Sequence, residues 1–158
     1  MVNKFKIVNY KYKLLLLIVI AALWYKTGIW VAMSDSLPYK FYLLIKGRNY
    51  LPKKNELVAI KGHNTKYVSN TNFIKIVGGV TGDVINVVNN VIFVNSTKIG
   101  SVRQNTLDNK PLTPITTQKI PPGFMFVYAT HNNSFDSRYL EFGLVNINFI
   151  VGKVIPIW

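Results

Sequence analysis

Four lysines, Lys4, Lys6, Lys11 and Lys13, lead into LLLLIVIAALWY, Leu14 to Tyr25. This run constrains the fold most, because so apolar a stretch must leave water. Its unbroken part is about a dozen residues, short for a span and typical of a signal-peptide core. Continued through Lys26 to Met33 it reaches about twenty residues with one charge. Lys26 can snorkel to the interface, where Trp24, Tyr25 and Trp30 also fit. No small-x-small cleavage site follows, since Ala21 and Ala22 are adjacent and Ala32 precedes Met33. The segment therefore reads as a retained anchor. The division expected is a cytoplasmic basic N-terminus at 1–13, a transmembrane helix at 14–33 and an exported domain at 34–158, the lysine-rich flank staying inside.

After Lys40 the pattern changes to short apolar runs broken by turn residues, with no sustained helical periodicity. ELVAIKG reads as a strand. KYVSNTNFIKIVGGVTGDVINVVNNVIFVN reads as strand, Gly-rich turn, strand, Asn-Asn turn, strand. GFMFVYAT and NINFIVGKVIPIW add two more, and Ser101 to Pro122 reads as loop. The expectation is a mainly β, antiparallel sheet or barrel in one domain.

Without cysteine, disulfides, thiol catalysis and iron–sulfur clusters are excluded, and two histidines make a His-rich metal site a poor reading. A net charge of +13 suits an anionic surface such as lipid headgroups, or simply a lysine-solvated exterior.

Three clusters can carry chemistry. In NTNFIKIVGG, a strand puts Phe73, Lys75 and Val77 on one face and Ile74 and Ile76 on the other. Burial there lowers a lysine's pKa, and a neutral lysine can take a proton from a hydroxyl. The plain alternative is an edge-strand lysine snorkelling to water. In VAMSDSLPYKFY, Pro38 holds Leu37 extended, which can fix Ser36 at a set angle. Ser34, two residues earlier, can join the Ser36 N–H in binding an oxyanion; the alternative is a polar turn. In THNNSFDSRY, an extended backbone presents Ser134, Asp136 and Arg138 together, with an Asp136–Arg138 ion pair and Ser134 orienting a lysine. A second reading makes His131 the base of a Ser-His-Asp triad. GGVTGD lacks the Lys-Ser/Thr of a phosphate-binding loop and reads as a turn.

The order of these features resembles the type I signal peptidase superfamily of Ser–Lys serine proteases, over essentially the whole chain. SDSLP resembles its nucleophile box, implying Ser36 as nucleophile with Ser34 and the Ser36 N–H at the oxyanion. FIKIVGGVTGD resembles the general-base box, implying Lys75. NSFDSRY resembles the last box, implying Ser134 supporting the lysine and Asp136 and Arg138 bracing the site. Within the superfamily the chain looks most like the TraF-type conjugative-transfer peptidases. Leu37-Pro38 follows the serine directly, the chain is compact, KPLTP and a polar loop precede the last box, and VGKVIPIW resembles that branch's Gly-basic-x-x-Pro-x-Trp ending. Two departures stand out: Asn55-Glu56 replaces the usual Gly-Asp, and YATHNN replaces Gly-Asp-Asn.

The resemblance implies a bacterial inner-membrane, single-pass serine endopeptidase with its catalytic domain outside the cytoplasm. It would process a membrane-inserted precursor, a conjugative pilin or another transfer protein, with small side chains at the cleavage site and cyclisation of some pilins. It implies membrane lipid as surroundings, no cofactor or metal, and no nucleic-acid partner. The alternatives are a housekeeping leader peptidase, a self-cleaving repressor of the same fold, and a non-enzymatic basic β domain.

Overall fold

The computed structural model describes residues 10–19, 27–33, 36–47 and 50–157. Residues 10–19 are helical. No helix among the described residues is long and apolar enough to cross a membrane. The far end of the expected anchor differs from a helix: Thr27–Val31 is a strand, β1, paired with Phe41–Lys46, β2. Its residues fit a pleated strand because Ile29 and Val31 alternate with Trp30 across it.

The remaining strands are β3 (Leu57–His63), β4 (Thr71–Gly79), β5 (Val84–Val88), β6 (Val91–Val94), β7 (Thr97–Ser101), β8 (Gln118–Lys119), β9 (Phe124–Tyr128), β10 (Val145–Asn146) and β11 (Ile150–Pro156). They make a seven-stranded sheet in the order β1-β2-β11-β3-β4-β9-β10 and a four-stranded sheet in the order β7-β6-β5-β8. Every strand pairing is antiparallel. The mainly β, antiparallel expectation holds, and the only helical element after Lys40 among the described residues is the short 3-10 turn Ile147–Phe149.

β3 lies inside the large sheet and is covered on both faces, so Val58, Ala59 and Ile60 are all fully buried. A continuous apolar run is what such a strand requires. Val58 and Ile60 join Val77, Met125, Val127, Phe142 and Val145 on one face. Ala59 joins Leu37, Tyr42, Leu44, Ala129 and Val154 on the other. A third cluster, with Ile85, Ile92, Val94, Ile115, Ile120 and Phe126, ties the small sheet to β9.

The turns are built largely by asparagine. Asn89 and Asn90 both have positive φ, 49° and 62°, and close the β5–β6 hairpin. Two left-handed residues in succession give the turn whose twist matches paired strands. Of GGVTGD, Gly78 and Gly79 end β4, and the turn follows from Val80 to Asp83. Asp83 accepts from the Val80 N–H at 2.9 Å, and Lys54 pairs with Asp83 at 2.9 Å. The atypical Glu56 is structural: it accepts from Tyr50 and from Lys153 at 3.0 Å, tying the start of β3 to β11.

Gly152 sits where β11 passes between β2 and β3, at an irregularity in the β11–β3 register. A Cβ there would lie 2.1 Å from the Ile45 carbonyl oxygen. That obstacle is backbone in a neighbouring strand and cannot rotate away. Gly152→Ala is expected to cost about 3 kcal/mol, read as a fall in the urea midpoint at unchanged slope.

Candidate active site

Lys75 is in β4, an interior strand flanked by β3 and β9. Phe73 and Val77 pack on its face and Ile74 and Ile76 pack on the opposite one, as the period of two requires. The side chain is 3% exposed, which rules out an edge lysine reaching for water. Its Nζ donates to Ser134 Oγ at 2.7 Å and lies 5.8 Å from the ring centres of both Phe73 and Phe142. Burial drives its pKa down to about 8. The Asp136 carboxylate pulls it partly back, and the Arg138 guanidinium pushes it down again. Near neutral pH a usable share of this amine is therefore unprotonated.

Ser36 lies in the loop joining β1 to β2, which is closed by the Ala32 N–H donating to the Lys40 carbonyl at 2.8 Å. The segment is a set of turns and bends rather than the rigid extended stretch expected from Leu37-Pro38. Pro38 shapes the loop, and Leu37, buried in the core, pins it. Ser36 is half-buried, and its carbonyl accepts from the His131 N–H at 3.3 Å. Ser36 and Lys75 both line a cavity of about 570 Å³. One wall runs from Ile29 to Met33, the other from Thr71 to Lys75. Ser34 lies outside the described residues.

The last cluster converges, but by turns instead of an extended backbone. Asp136 accepts from the Ala129 N–H at 3.1 Å and from the Arg138 N–H at 3.2 Å, which folds the chain back on itself. Arg138 grips the same carboxylate with two donors, Nε at 2.8 Å and Nη2 at 2.9 Å. Both residues are buried, so the pair is shielded from water. The guanidinium also donates to the Ser134 and His131 carbonyls, each at 3.2 Å, and to Ser101 at 3.3 Å. Asp136 and Arg138 thus hold the backbone that carries Ser134, while Ser134 reaches Lys75.

The triad alternative fails on this geometry. The side chain of His131 is exposed, and its Nδ1 accepts from the Asn133 N–H at 3.1 Å. The Asp136 carboxylate is committed to Arg138 and Ala129. His131 contributes through its backbone alone, as donor to Ser36 and acceptor from Arg138.

Two residues of the aromatic cluster around the lysine escaped the sequence reading. Phe142 covers Lys75 from the turn after the last cluster. His63, at the end of β3, packs on Phe142 at 4.9 Å and Phe73 at 6.3 Å between ring centres. The aromatic spacing could have flagged Phe142. Nothing in a period of two could have flagged His63, because a register shift between Ile60 and His63 turns its side chain to the other face.

The chain is similar in sequence to known proteins. A curated signal peptidase I from Bacillus caldolyticus is 35% identical over 94 residues, 52% of this chain and 50% of its own length. The chain thus spans about half the length of the curated relative it matches. The crystal structure of a signal peptidase I from Enterococcus faecalis aligns with 67% of this chain and 98% of its own, at 19% identity and a TM-score of 0.45. The sequence model described as signal peptidase, peptidase S26, matches residues 6–158, and on that match the chain belongs to this family.

Proposed function

We propose that the protein is a membrane-attached serine endopeptidase of signal-peptidase type, with Ser36 as nucleophile and Lys75 as general base. The observation that carries the reading is a buried lysine with a lowered pKa, held by Ser134, in the wall of a cavity that it shares with Ser36. Ser36 Oγ adds to the carbonyl carbon of the scissile bond while its proton passes to Lys75 Nζ. The Ser36 N–H and the Ser34 hydroxyl receive the oxyanion. On collapse the C–N bond breaks and Lys75 returns the proton to the leaving amine. Lys75 then activates the water, or the amine, that resolves the acyl-enzyme. Ser134 and the Asp136–Arg138 pair position the lysine.

Among the described residues β1 ends the large sheet, beside the cavity. An extended precursor segment can add to a terminal strand through backbone hydrogen bonds. Attachment through the N-terminal apolar segment would confine enzyme and precursor to one plane and raise their effective concentration.

Two substrate readings follow. SDSLP and the VGKVIPIW ending favour a conjugative pilin or other transfer-protein precursor, with head-to-tail closure when the precursor's own amine resolves the acyl-enzyme. The match to a curated signal peptidase I favours release of many secreted preproteins. Co-expression with pilin precursors and with unrelated preproteins, followed by mass spectrometry, separates them. Maturation of a pilin alone supports the first, and cleavage of unrelated preproteins supports the second. Products unchanged by Ser36→Ala would overturn both.

A further inference from the structure

β3 carries a bulge with a specific consequence. Val58 and Ile60 face the cluster that contains Phe142 and Val77. Simple alternation would send Gly62 to that face and His63 to the opposite one. Gly62 instead has φ of +68°, its N–H donates to Asn72 Oδ1 at 3.1 Å, and the register with β4 slips before His63 pairs with Thr71. Thr71 shares a face with Phe73 and Lys75, so the slip turns His63 to the face that carries the lysine. Bulges recur beside active sites because they re-aim a side chain in this way.

The imidazole is 5% exposed. Nε2 is 3.1 Å from the Phe142 carbonyl oxygen, which can only accept, so Nε2 carries the proton. Nδ1 is buried with no partner among the described residues. An apolar residue would fill this space without that unsatisfied atom. What the histidine adds is a hydrogen bond fixing Phe142, together with ring contacts on Phe142, Phe73 and Phe149. Phe142 and Phe73 are the two rings over Lys75 Nζ.

We propose that His63 is a positioning residue for Lys75: it locks the Phe142 and Phe73 rings that keep water from the amine. The proposal rests on the general-base role given to Lys75 above. The charged groups acting on Lys75 are Asp136 and Arg138, both from the loop after β9, with the Ser134 hydroxyl beside them. His63 faces the Phe142 carbonyl and the three rings, and burial holds its own pKa below the usual value, against the pull of that carbonyl. It therefore acts on Lys75 as a neutral group, by geometry and by excluding water. Releasing Phe142 hydrates the amine, favours its charged form and raises its pKa.

The test is an NMR titration of the Lys75 ε-carbon in lysine-labelled full-length protein, assigned against Lys75→Met, run beside the pH profile of kcat/KM on a precursor peptide. In His63→Ala the Lys75 midpoint is expected to rise by about one unit. Activity then falls about tenfold at pH 7 and stays within about twofold of the parent at pH 10. His63→Gln, whose amide can still donate to the Phe142 carbonyl, is expected to restore most of the midpoint. A uniform loss at every pH with an unmoved Lys75 midpoint overturns the proposal, as does a His63→Gln midpoint equal to that of His63→Ala. Where His63→Ala melts below the assay temperature, His63→Phe is read instead, and an unmoved midpoint there is equally fatal. A moved NMR midpoint with no matching limb in the kinetics sinks the role given to Lys75 and leaves the positioning intact.

Discussion

Lys75→Met is expected to abolish precursor processing, by at least about a thousandfold, while making the protein more stable at pH 7. Ser36→Ala should lose as much activity, since members of a catalytic unit fail together. Lys75→Arg should be inactive at every pH, because a guanidinium does not release its proton. The stability gain follows from the same burial that lowers the lysine's pKa. Unfolded, the amine titrates near 10.4, and in the fold at about 8. Between those values the unfolded chain holds more protons, so native stability rises with pH across that window. Below pH 8 the wild type bears the whole cost of a buried ammonium. Methionine removes that cost, about 3 kcal/mol, less the lost hydrogen bond to Ser134. The advantage should shrink toward pH 10, where the native amine is neutral and only part of the unfolded population still holds the proton, and vanish once the unfolded amine has titrated as well. Thermal melts at pH 7 and pH 10 check it. An equal effect at both would mean that Lys75 bears no charge cost. In the wild type, kcat/KM should climb with pH through about 8, as the amine loses its proton.

Asp136→Ala should be the most destabilising change within the site, costing about 3–5 kcal/mol. It strands a guanidinium that is 2% exposed, and takes the acceptor from the Ala129 N–H. Asp136→Ala with Arg138→Met should recover much of the loss, since removing both charges leaves none buried alone. Chemical denaturation of the two variants measures the difference. Recovery of stability need not bring back activity, because the Ser134 and His131 carbonyls would still lack the guanidinium that holds them.

Much of this site was legible because a strand has a short, rigid period. The alternation in NTNFIKIVGG correctly placed Phe73, Lys75 and Val77 on one face. What decided that the lysine is buried rather than snorkelling was the position of β4 between β3 and β9, a long-range fact. Ser134, Asp136 and Arg138 do meet, but through side-chain bonds to the backbone that bend the chain, which residue spacing does not encode. β1 was hidden inside the apolar run, because Gly28-Ile29-Trp30-Val31 satisfies either a membrane helix or a pleated edge strand. His63 was hidden by one glycine in a left-handed conformation.

The loop carrying Ser36 is stitched to the loop carrying Ser134 by one backbone hydrogen bond, and Lys75 meets Ser134 across 59 residues of chain. Contacts so distant in sequence form late, after the closure entropy of the intervening chain has been overcome. A chain delivered N-terminus first presents Ser36 early and Lys75 midway, yet the contacts that hold them together cannot form until β9 and the turns after it have arrived. If Ser36 and Lys75 act as proposed, the nascent protein lacks a working site for most of its emergence, and its own unfolded segments are not exposed to that chemistry during the interval.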